Sequence, residues 1–522
     1  MSFRLTYATM FNPPEEMHER FEKALARVRG RLGQTHPMFI DGKDVPAAAT
    51  EERLSPVDNK ISIGRFPHAS AKEVDSAIAA AQRASAGWRD AGMAKRVALM
   101  RKVAGILEER VYDIAAALVF EVGKNRLEAL GEAQECVDFF NVYADDFESH
   151  KGYEFDLPND PSNVFVSRNK SVMRPYGVWA VIAPFNFPIA LAAGPVAAAL
   201  VTGNTVVLKC ATDTPWAGRL LADCIRDAGL PAGVFNYLSG PGAKVGAALV
   251  SHPLTAGVTF TGSFEVGMGI VRALQAPPFP RPCVAEMGGK NACIVSAAAD
   301  LERAAVGIMR SAYGMGGQKC SALSRLYVHR EVADALLAKL AAQVDAIRIG
   351  DPTRREHWLG PVTTQSAYDN YARYTARLRS GGARLVSGGE QLKGGALDKG
   401  FFVRPTIAEA ALEHPLWNEE MFLPILMVHR VASNEEAMAL ANRSPLGLTA
   451  GFYGSAAEIP WFNEHIEAGV TYANRPQGAT TGAWPGYQAF GGWKGSGSTG
   501  KAIGSFYYLP QYMREQSQTV VE

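Results

Sequence analysis

Cys320 stands in Gly317-Gln318-Lys319-Cys320-Ser321, and Glu286 lies in Ala285-Glu286-Met287-Gly288-Gly289-Lys290. Asn186 sits in Pro184-Phe185-Asn186-Phe187-Pro188, a side-chain amide among apolar residues. A thiol, a carboxylate and an amide are the groups that oxidation of an aldehyde through a thioester requires. The thiolate adds to the carbonyl carbon, N–H donors hold the oxyanion, and the carboxylate activates the water that releases the acid. Taken singly, each residue has an ordinary explanation. Cys320 could be a core thiol, Glu286 a surface acid at a strand end, and Asn186 a capping amide ahead of a Pro188 in the first helical turn. What separates Cys320 from a core thiol is its setting, since the small and polar residues around it keep a thiol accessible.

The elements that must position these groups change in texture along the chain. Residues 13–30 carry the charge and apolar spacing of a surface helix. Ser70 and Glu73 have capping-box spacing ahead of a helix, and helical patterns run through about 93–149, so the first third reads as mainly helical. Residues 164–172 alternate strand-forming and polar side chains, which predicts an antiparallel ribbon. Short apolar strands at 178–183, 205–209, 234–238 and 258–261 then alternate with helices at 215–228 and 264–273, the rhythm of a doubly wound parallel sheet. A second α/β rhythm starts near Asn291, with Asp300 as helix N-cap, a strand at 326–329, a helix from about Glu331 and strands near 424–431. Phe506-Tyr507-Tyr508-Leu509 reads as a C-terminal strand.

Composition narrows the function classes. With 522 residues the chain is long enough for two large domains, and 47% apolar with 20% charged residues is ordinary for a globular protein. A formal net charge of +1 gives no global electrostatic reason to bind nucleic acid or a membrane. The six cysteines form no CxxC pair and the histidines do not cluster at zinc spacings, so no metal is expected and a reducing compartment is favoured. The N-terminus lacks the order of a signal peptide, and the apolar run 189–201 is shorter than the roughly 20 residues of a membrane span. A cytoplasmic protein with a core helix at 189–201 is the expectation.

Seven stretches, in order, resemble the aldehyde dehydrogenase superfamily: PFNFP (184–188), NTVVLK (204–209), FTGSFEVG (260–267), EMGGK (286–290), GQKCSA (317–322), EEMFLPI (419–425) and FGGWKGSG (490–497). Within it the chain is most similar to the enzymes that oxidise glutamate γ-semialdehyde, the 1-pyrroline-5-carboxylate dehydrogenases. The resemblance implies an α/β fold with a Rossmann-type cofactor domain (1–152 and 176–285) and an α/β catalytic domain (286–472). Segments 153–175 and 473–522 would supply the substrate loop and a protruding β-ribbon oligomerisation element. It implies Cys320 as nucleophile, Asn186 as oxyanion donor and Glu286 as the base for water. A homo-oligomer built from dimers is expected, with any proline-oxidising partner enzyme on a separate chain.

For the cofactor, Gly262 and Ser263 follow a strand and open a helix, a turn whose N–H groups suit a pyrophosphate although it is not the usual GxGxxG. By resemblance Ser263 contacts phosphate, Lys209 the adenosine ribose, and Glu420 the nicotinamide ribose with Phe422 packed beside it. Relatives selective for NAD often carry Glu where Thr212 stands, so NAD is expected with NADP use left open. For the substrate, Thr481-Gly482-Ala483 resembles a carboxylate-binding loop, in which Ser321, Gly482 and Ala483 hold the α-carboxylate while Phe187 and Phe490 flank the aliphatic chain. Two departures touch that loop: five residues, PQGAT, separate Arg475 from Thr481 where two are common, and Trp484-Pro485 replaces a smaller pair. Other readings therefore stay open: a dehydrogenase of another semialdehyde or aliphatic aldehyde, or a non-oxidative thioester transferase or silent binding protein.

Overall fold

The structure, a computed structural model, describes Thr6, Thr9 and residues 13–47, 49–161, 164–276 and 278–522. Most of the N-terminal segment read for a signal peptide, and residues 162–163 of the expected ribbon, lie outside the described residues. Two seven-stranded sheets organise the chain. In the first, five parallel strands run in the order Cys283–Glu286, Thr255–Thr261, Val178–Ile182, Thr205–Lys209 and Phe235–Leu238, and an antiparallel hairpin of Met38–Ile40 and Lys43–Val45 extends one edge. Every residue of Val178–Ile182, Thr205–Lys209 and Phe235–Leu238 is buried, which is why these strands read as continuous apolar runs instead of alternating ones.

The second sheet has the order Arg384–Ser387, Thr406–Glu409, Ile425–Val431, Leu323–His329, Asn291–Val295, Thr449–Tyr453 and Val470–Ala473, parallel but for the first strand. Helices pack on both sheets. The capping box at Ser70 opens Ala71–Asp90, with Ser70 Oγ accepting from Lys72 N at 3.2 Å and Ser70 N donating to Glu73 Oε2 at 2.8 Å. Asp300 caps Leu301–Tyr313 by accepting from Arg303 N at 3.1 Å. The apolar run at 189–201 becomes the helix Ala190–Val201, buried along nearly its whole length. Among the described residues no helix is long and apolar enough to cross a membrane.

One expectation needs correction. The first third is mainly helical, as expected, and Thr50–Leu54, Ser62–Pro67 and Gln34–Thr35 add a small sheet to it. Phe506–Leu509 is not a strand: Leu509–Tyr512 is a single 3-10 turn and the strand starts at Met513. The turn, begun around Pro510, lets Tyr508 stack on Tyr143 at 5.6 Å and Tyr512 meet Trp179 at 4.6 Å, with the two tyrosine rings 5.4 Å apart, a closeness that an extended strand at about 3.3 Å per residue would pull open. The strand Met513–Val521 then pairs with Ser167–Pro175, which pairs with Glu154–Leu157, in a three-stranded antiparallel ribbon.

Candidate active site

Asn186, Glu286, Lys209, Gly262 and Ser263 all lie at or just past the C-terminal ends of parallel strands of the first sheet, where the backbone leaves the sheet and side chains converge. Cys320 approaches from the second sheet, in the loop between Leu301–Tyr313 and Leu323–His329. That loop is held in an unusual shape: Met315, Gly316 and Gly317 take φ of 53°, 63° and 67° in succession. Met315 lies in the left-handed region, which side chains rarely adopt. A side chain at Gly317 would collide with the Leu423 carbonyl, so the Cys320 loop presses directly on the segment that carries Glu420 and Phe422.

A cavity of about 270 Å³ opens onto Cys320. Ser321, Gly482, Ala483, Phe187 and Phe490, the residues expected to hold substrate, all line it. Gly482 has φ of 106°, a conformation that suits glycine, and its carbonyl accepts from both Nη atoms of Arg475 at 3.2 Å. The PQGAT insert contributes Gln477 to the wall, while its Ala479 and Thr480 are buried beneath. Thr480 Oγ donates to the Ser321 carbonyl at 2.7 Å and Thr480 N donates to Ser311 Oγ at 2.9 Å. Trp484 does not enter the cavity. It is buried, and its indole N–H donates to Asp138 at 2.6 Å.

Asn186 and Glu286 lie off the lining of this cavity. Asn186 is buried and its Nδ2 donates to the Gln318 carbonyl at 3.0 Å, which ties the amide to the loop two residues before Cys320. Glu286 is buried at the end of its strand and accepts from Gly492 N at 3.2 Å. Burial pushes its carboxyl up to about 8 against the opposing effect of that hydrogen bond. Burial, and after it the Glu420 and Glu286 carboxylates, push the Cys320 thiol up to about 12, so Cys320 is held as a thiol.

The residues expected at a cofactor form a second group. Lys209 is buried at its strand end and its ammonium is pushed down by burial. Ser263 opens the helix Phe264–Leu274 without spending its side chain on a cap bond. Glu420 accepts from Gly289 N at 2.9 Å, and its carboxyl is pushed up to about 7 by burial. A Cβ on Gly288 would collide with that carboxylate, so the two glycines make the cradle in which it rests. Phe422, at φ of 55°, packs edge-on against Phe185 at 5.7 Å. Thr212 donates its hydroxyl to the Gly240 carbonyl at 3.2 Å, with no carboxylate in its place.

Several residues that support the site have no local signature. Asn291 donates to the carbonyls of Cys320 at 2.6 Å and Ala322 at 2.9 Å and accepts from Thr449 N at 3.0 Å, fastening the Cys320 loop to the sheet. Arg53, ion-paired with Glu51 at 3.1 Å and Asp213 at 3.7 Å, adds positive potential at Lys209. The nearest signal for Asn291 is its place directly after EMGGK; Arg53 offers none.

Comparison with known proteins agrees with this geometry. Residues 45–518 match the aldehyde dehydrogenase family. The chain is 36% identical over 519 residues to 1-pyrroline-5-carboxylate dehydrogenase 1 of Halalkalibacterium halodurans, covering 97% of both chains. It is 38% identical over 511 residues to 1-pyrroline-5-carboxylate dehydrogenase 2 of Bacillus subtilis, covering 97% of this chain and 96% of the relative. Among solved structures it is similar to a Thermus 1-pyrroline-5-carboxylate dehydrogenase with bound NAD, at TM-score 0.93 and 33% identity over 100% of this chain and 99% of that one. It also matches proline utilization A from Bdellovibrio bacteriovorus at TM-score 0.91 and 34% identity, over 97% of this chain and 52% of that one. The chain belongs to the aldehyde dehydrogenase family.

Proposed function

We propose that this protein oxidises L-glutamate γ-semialdehyde, the open form of 1-pyrroline-5-carboxylate, to L-glutamate in proline catabolism. The observation that carries the reading is the single cavity in which Cys320 meets Ser321, Gly482 and Ala483 with Phe187 and Phe490 on its walls. Ser321 and the Gly482-Ala483 backbone anchor the α-carboxylate, the two phenylalanines confine the methylene chain, and the aldehyde carbon is delivered to Cys320. The relatives at 36% and 38% identity that carry the name of this activity support the assignment.

In the reaction Cys320 gives up its proton to solvent water as sulfur adds to the aldehyde carbon. The oxyanion of the thiohemiacetal is held by Asn186 Nδ2 and the Cys320 N–H; one such donor is worth about 3–4 kcal/mol. Asn186 exchanges its bond to the Gln318 carbonyl for the oxyanion. NAD, when bound, would supply the hydride acceptor, and Cys320 would then carry the acyl group as a thioester. Glu286, once ionised, removes a proton from water, and hydrolysis frees the acid and the thiol. The Gly262-Ser263 turn, Lys209 and Glu420 in its glycine cradle, with Phe422 beside it, would hold the cofactor. Thr212 would present no carboxylate to repel the extra phosphate of NADP. The buried base Glu286 favours hydrolysis over transfer of the acyl group to another thiol.

A second reading, oxidation of a different semialdehyde, is favoured by Gln477, which the PQGAT insert adds to the cavity wall. The deciding experiment follows cofactor reduction with pyrroline-5-carboxylate, succinic semialdehyde and simple aliphatic aldehydes, with NAD and NADP separately and Cys320→Ser as blank. The expected result is the highest kcat/KM with pyrroline-5-carboxylate and none in the blank. Preference for another aldehyde would move the substrate assignment to the second reading, and turnover by Cys320→Ser would remove the nucleophile. We infer also a homo-oligomer assembled from dimers through the ribbon and a cytoplasmic setting, which suits six free cysteines, with a separate proline-oxidising enzyme supplying the substrate.

A further inference from the structure

We propose that Glu132 and Lys124, a buried ion pair outside the reaction itself, are positioning residues that hold the Asn186 loop in its working shape. The inference rests on the reading of Asn186 as oxyanion donor. Both side chains are 0% exposed, and Lys124 Nζ meets Glu132 Oε2 at 2.5 Å. The other Glu132 oxygen, Oε1, accepts from Ile189 N at 3.0 Å and Ala190 N at 3.3 Å. Those two N–H groups begin three residues after Asn186, at the start of a helix whose N-cap residue, Ile189, makes no side-chain cap bond. Lys124 Nζ lies 3.5 Å from the ring centroid of Phe187, the residue next to Asn186. The pair therefore grips the chain just beyond Asn186 in two ways, by hydrogen bonds to the backbone and by a cation on the neighbouring ring.

The pair has a rigid base. Gly123, at φ of 86°, turns the chain between two long helices, and Asn125 caps the second, Arg126–Ser149, by accepting from Leu127 N and Glu128 N. Lys124 sits in that turn and Glu132 two turns along the helix, so neither partner is on a loose segment.

A comparison within the molecule shows why capping alone does not explain the lysine. Glu121 does the same capping work for the helix Pro215–Ala228, accepting from Trp216 N at 2.6 Å and Ala217 N at 2.9 Å. No salt-bridge partner accompanies it among the described residues, and burial pushes its carboxyl up to about 8. A buried carboxyl thus caps a helix here without a paired cation. Placing a cation fully out of water is costly unless its position does something further. The further contact that Lys124 makes is with Phe187, on the wall of the substrate cavity.

The test is a cycle of wild type, Asn186→Ala, Glu132→Ala and the double variant, read as the single-turnover rate of NAD reduction with pyrroline-5-carboxylate and, in parallel, with propionaldehyde. Asn186→Ala is expected to slow acylation about 10²–10³-fold. Glu132→Ala is expected to slow it at least about tenfold with KM changed by less than about threefold, since the loss is confined to the transition state. The double variant should be no slower than Asn186→Ala, because Glu132 acts through that amide. Multiplication of the two losses, or an undiminished rate in Glu132→Ala, overturns the proposal. If Glu132→Ala does not fold, Lys124→Met/Glu132→Gln takes its place in the same cycle, keeping an oxygen acceptor for both N–H groups. It is expected to slow acylation while leaving the rate of Cys320 alkylation by iodoacetamide as in wild type; a wild-type acylation rate overturns the proposal. A wild-type rate in Asn186→Ala, in contrast, removes the oxyanion reading and the proposal with it.

Discussion

At the residue scale, the proposed role of Glu286 as base sets an expected pH profile for the site. A base must be ionised to deprotonate water, and burial holds this one up to about 8. Thioester hydrolysis should therefore rise with pH through about 8 and level off above it, whereas the acylation burst should lack this dependence on Glu286. Stopped-flow and steady-state rates across pH 6–10 would check this, with Glu286→Gln expected to flatten the hydrolysis profile and lengthen the thioester lifetime. A hydrolysis rate in that variant equal to wild type would remove Glu286 as the base. The three residues of the proposed reaction were legible in the sequence because each lies in or beside a short stretch of chemical composition, with glycine, lysine and serine around Cys320 and a glycine pair after Glu286 at its strand end. Asn291, Thr480 and Glu132 were not legible. Their partners lie 29, 159 and 57 residues away, and a hydrogen bond across such distances leaves no local trace.

At the scale of elements, buried carboxyls make helix starts sensitive to pH. Glu121 in the folded chain keeps its proton up to about 8, while in the unfolded chain it loses it near 4.5. The folded state therefore binds the extra proton between those values, and the stability it confers is complete below about 4.5 and is lost as pH rises to about 8. Glu286 and Glu420 act in the same direction. Thermal or urea unfolding across that window should show stability falling with pH, and Glu121→Gln should reduce the slope by one proton. Glu121→Ala, which leaves two buried N–H groups without an acceptor, is expected to cost about 1–3 kcal/mol. Parallel strands and capped helices were readable because apolar runs and Ser or Asp caps are local signals. The strand Met513–Val521 was not. All but two of its residues are exposed, so neither burial nor alternation marks it, and only its pairing with Ser167–Pro175 makes it a strand.

At the scale of the whole molecule, the ribbon is the least finished part of the surface. Its two outer strands, Glu154–Leu157 and Met513–Val521, are edges of a three-stranded sheet, and Phe155, Leu157, Val520 and Val521 are exposed on it. Edges of this kind pair with another chain unless they are blocked. Sedimentation should show a dimer or a multiple of it, and Phe155→Glu with Val520→Lys should shift the protein toward monomer with the cavity intact; an unshifted oligomer would place the interface elsewhere. The fold class was legible because the two α/β rhythms are long, but the joining of distant segments was not. That joining has a consequence for how the protein comes into being. The strand bearing Glu286 is flanked on its outer side by residues 492–498: Gly492 N donates to Glu286, Met287 N to the Ser496 carbonyl, Ala285 N to Ser498 Oγ and Ser496 Oγ to the Gly288 carbonyl. A ribosome lays down Asn186, Glu286 and Cys320 long before it reaches Gly492. Until residues 492–498 emerge and dock, Glu286 lacks the hydrogen bond that meets it in the folded chain, so a chain stopped short of them is expected to carry all three groups without the fixed base of the proposed reaction.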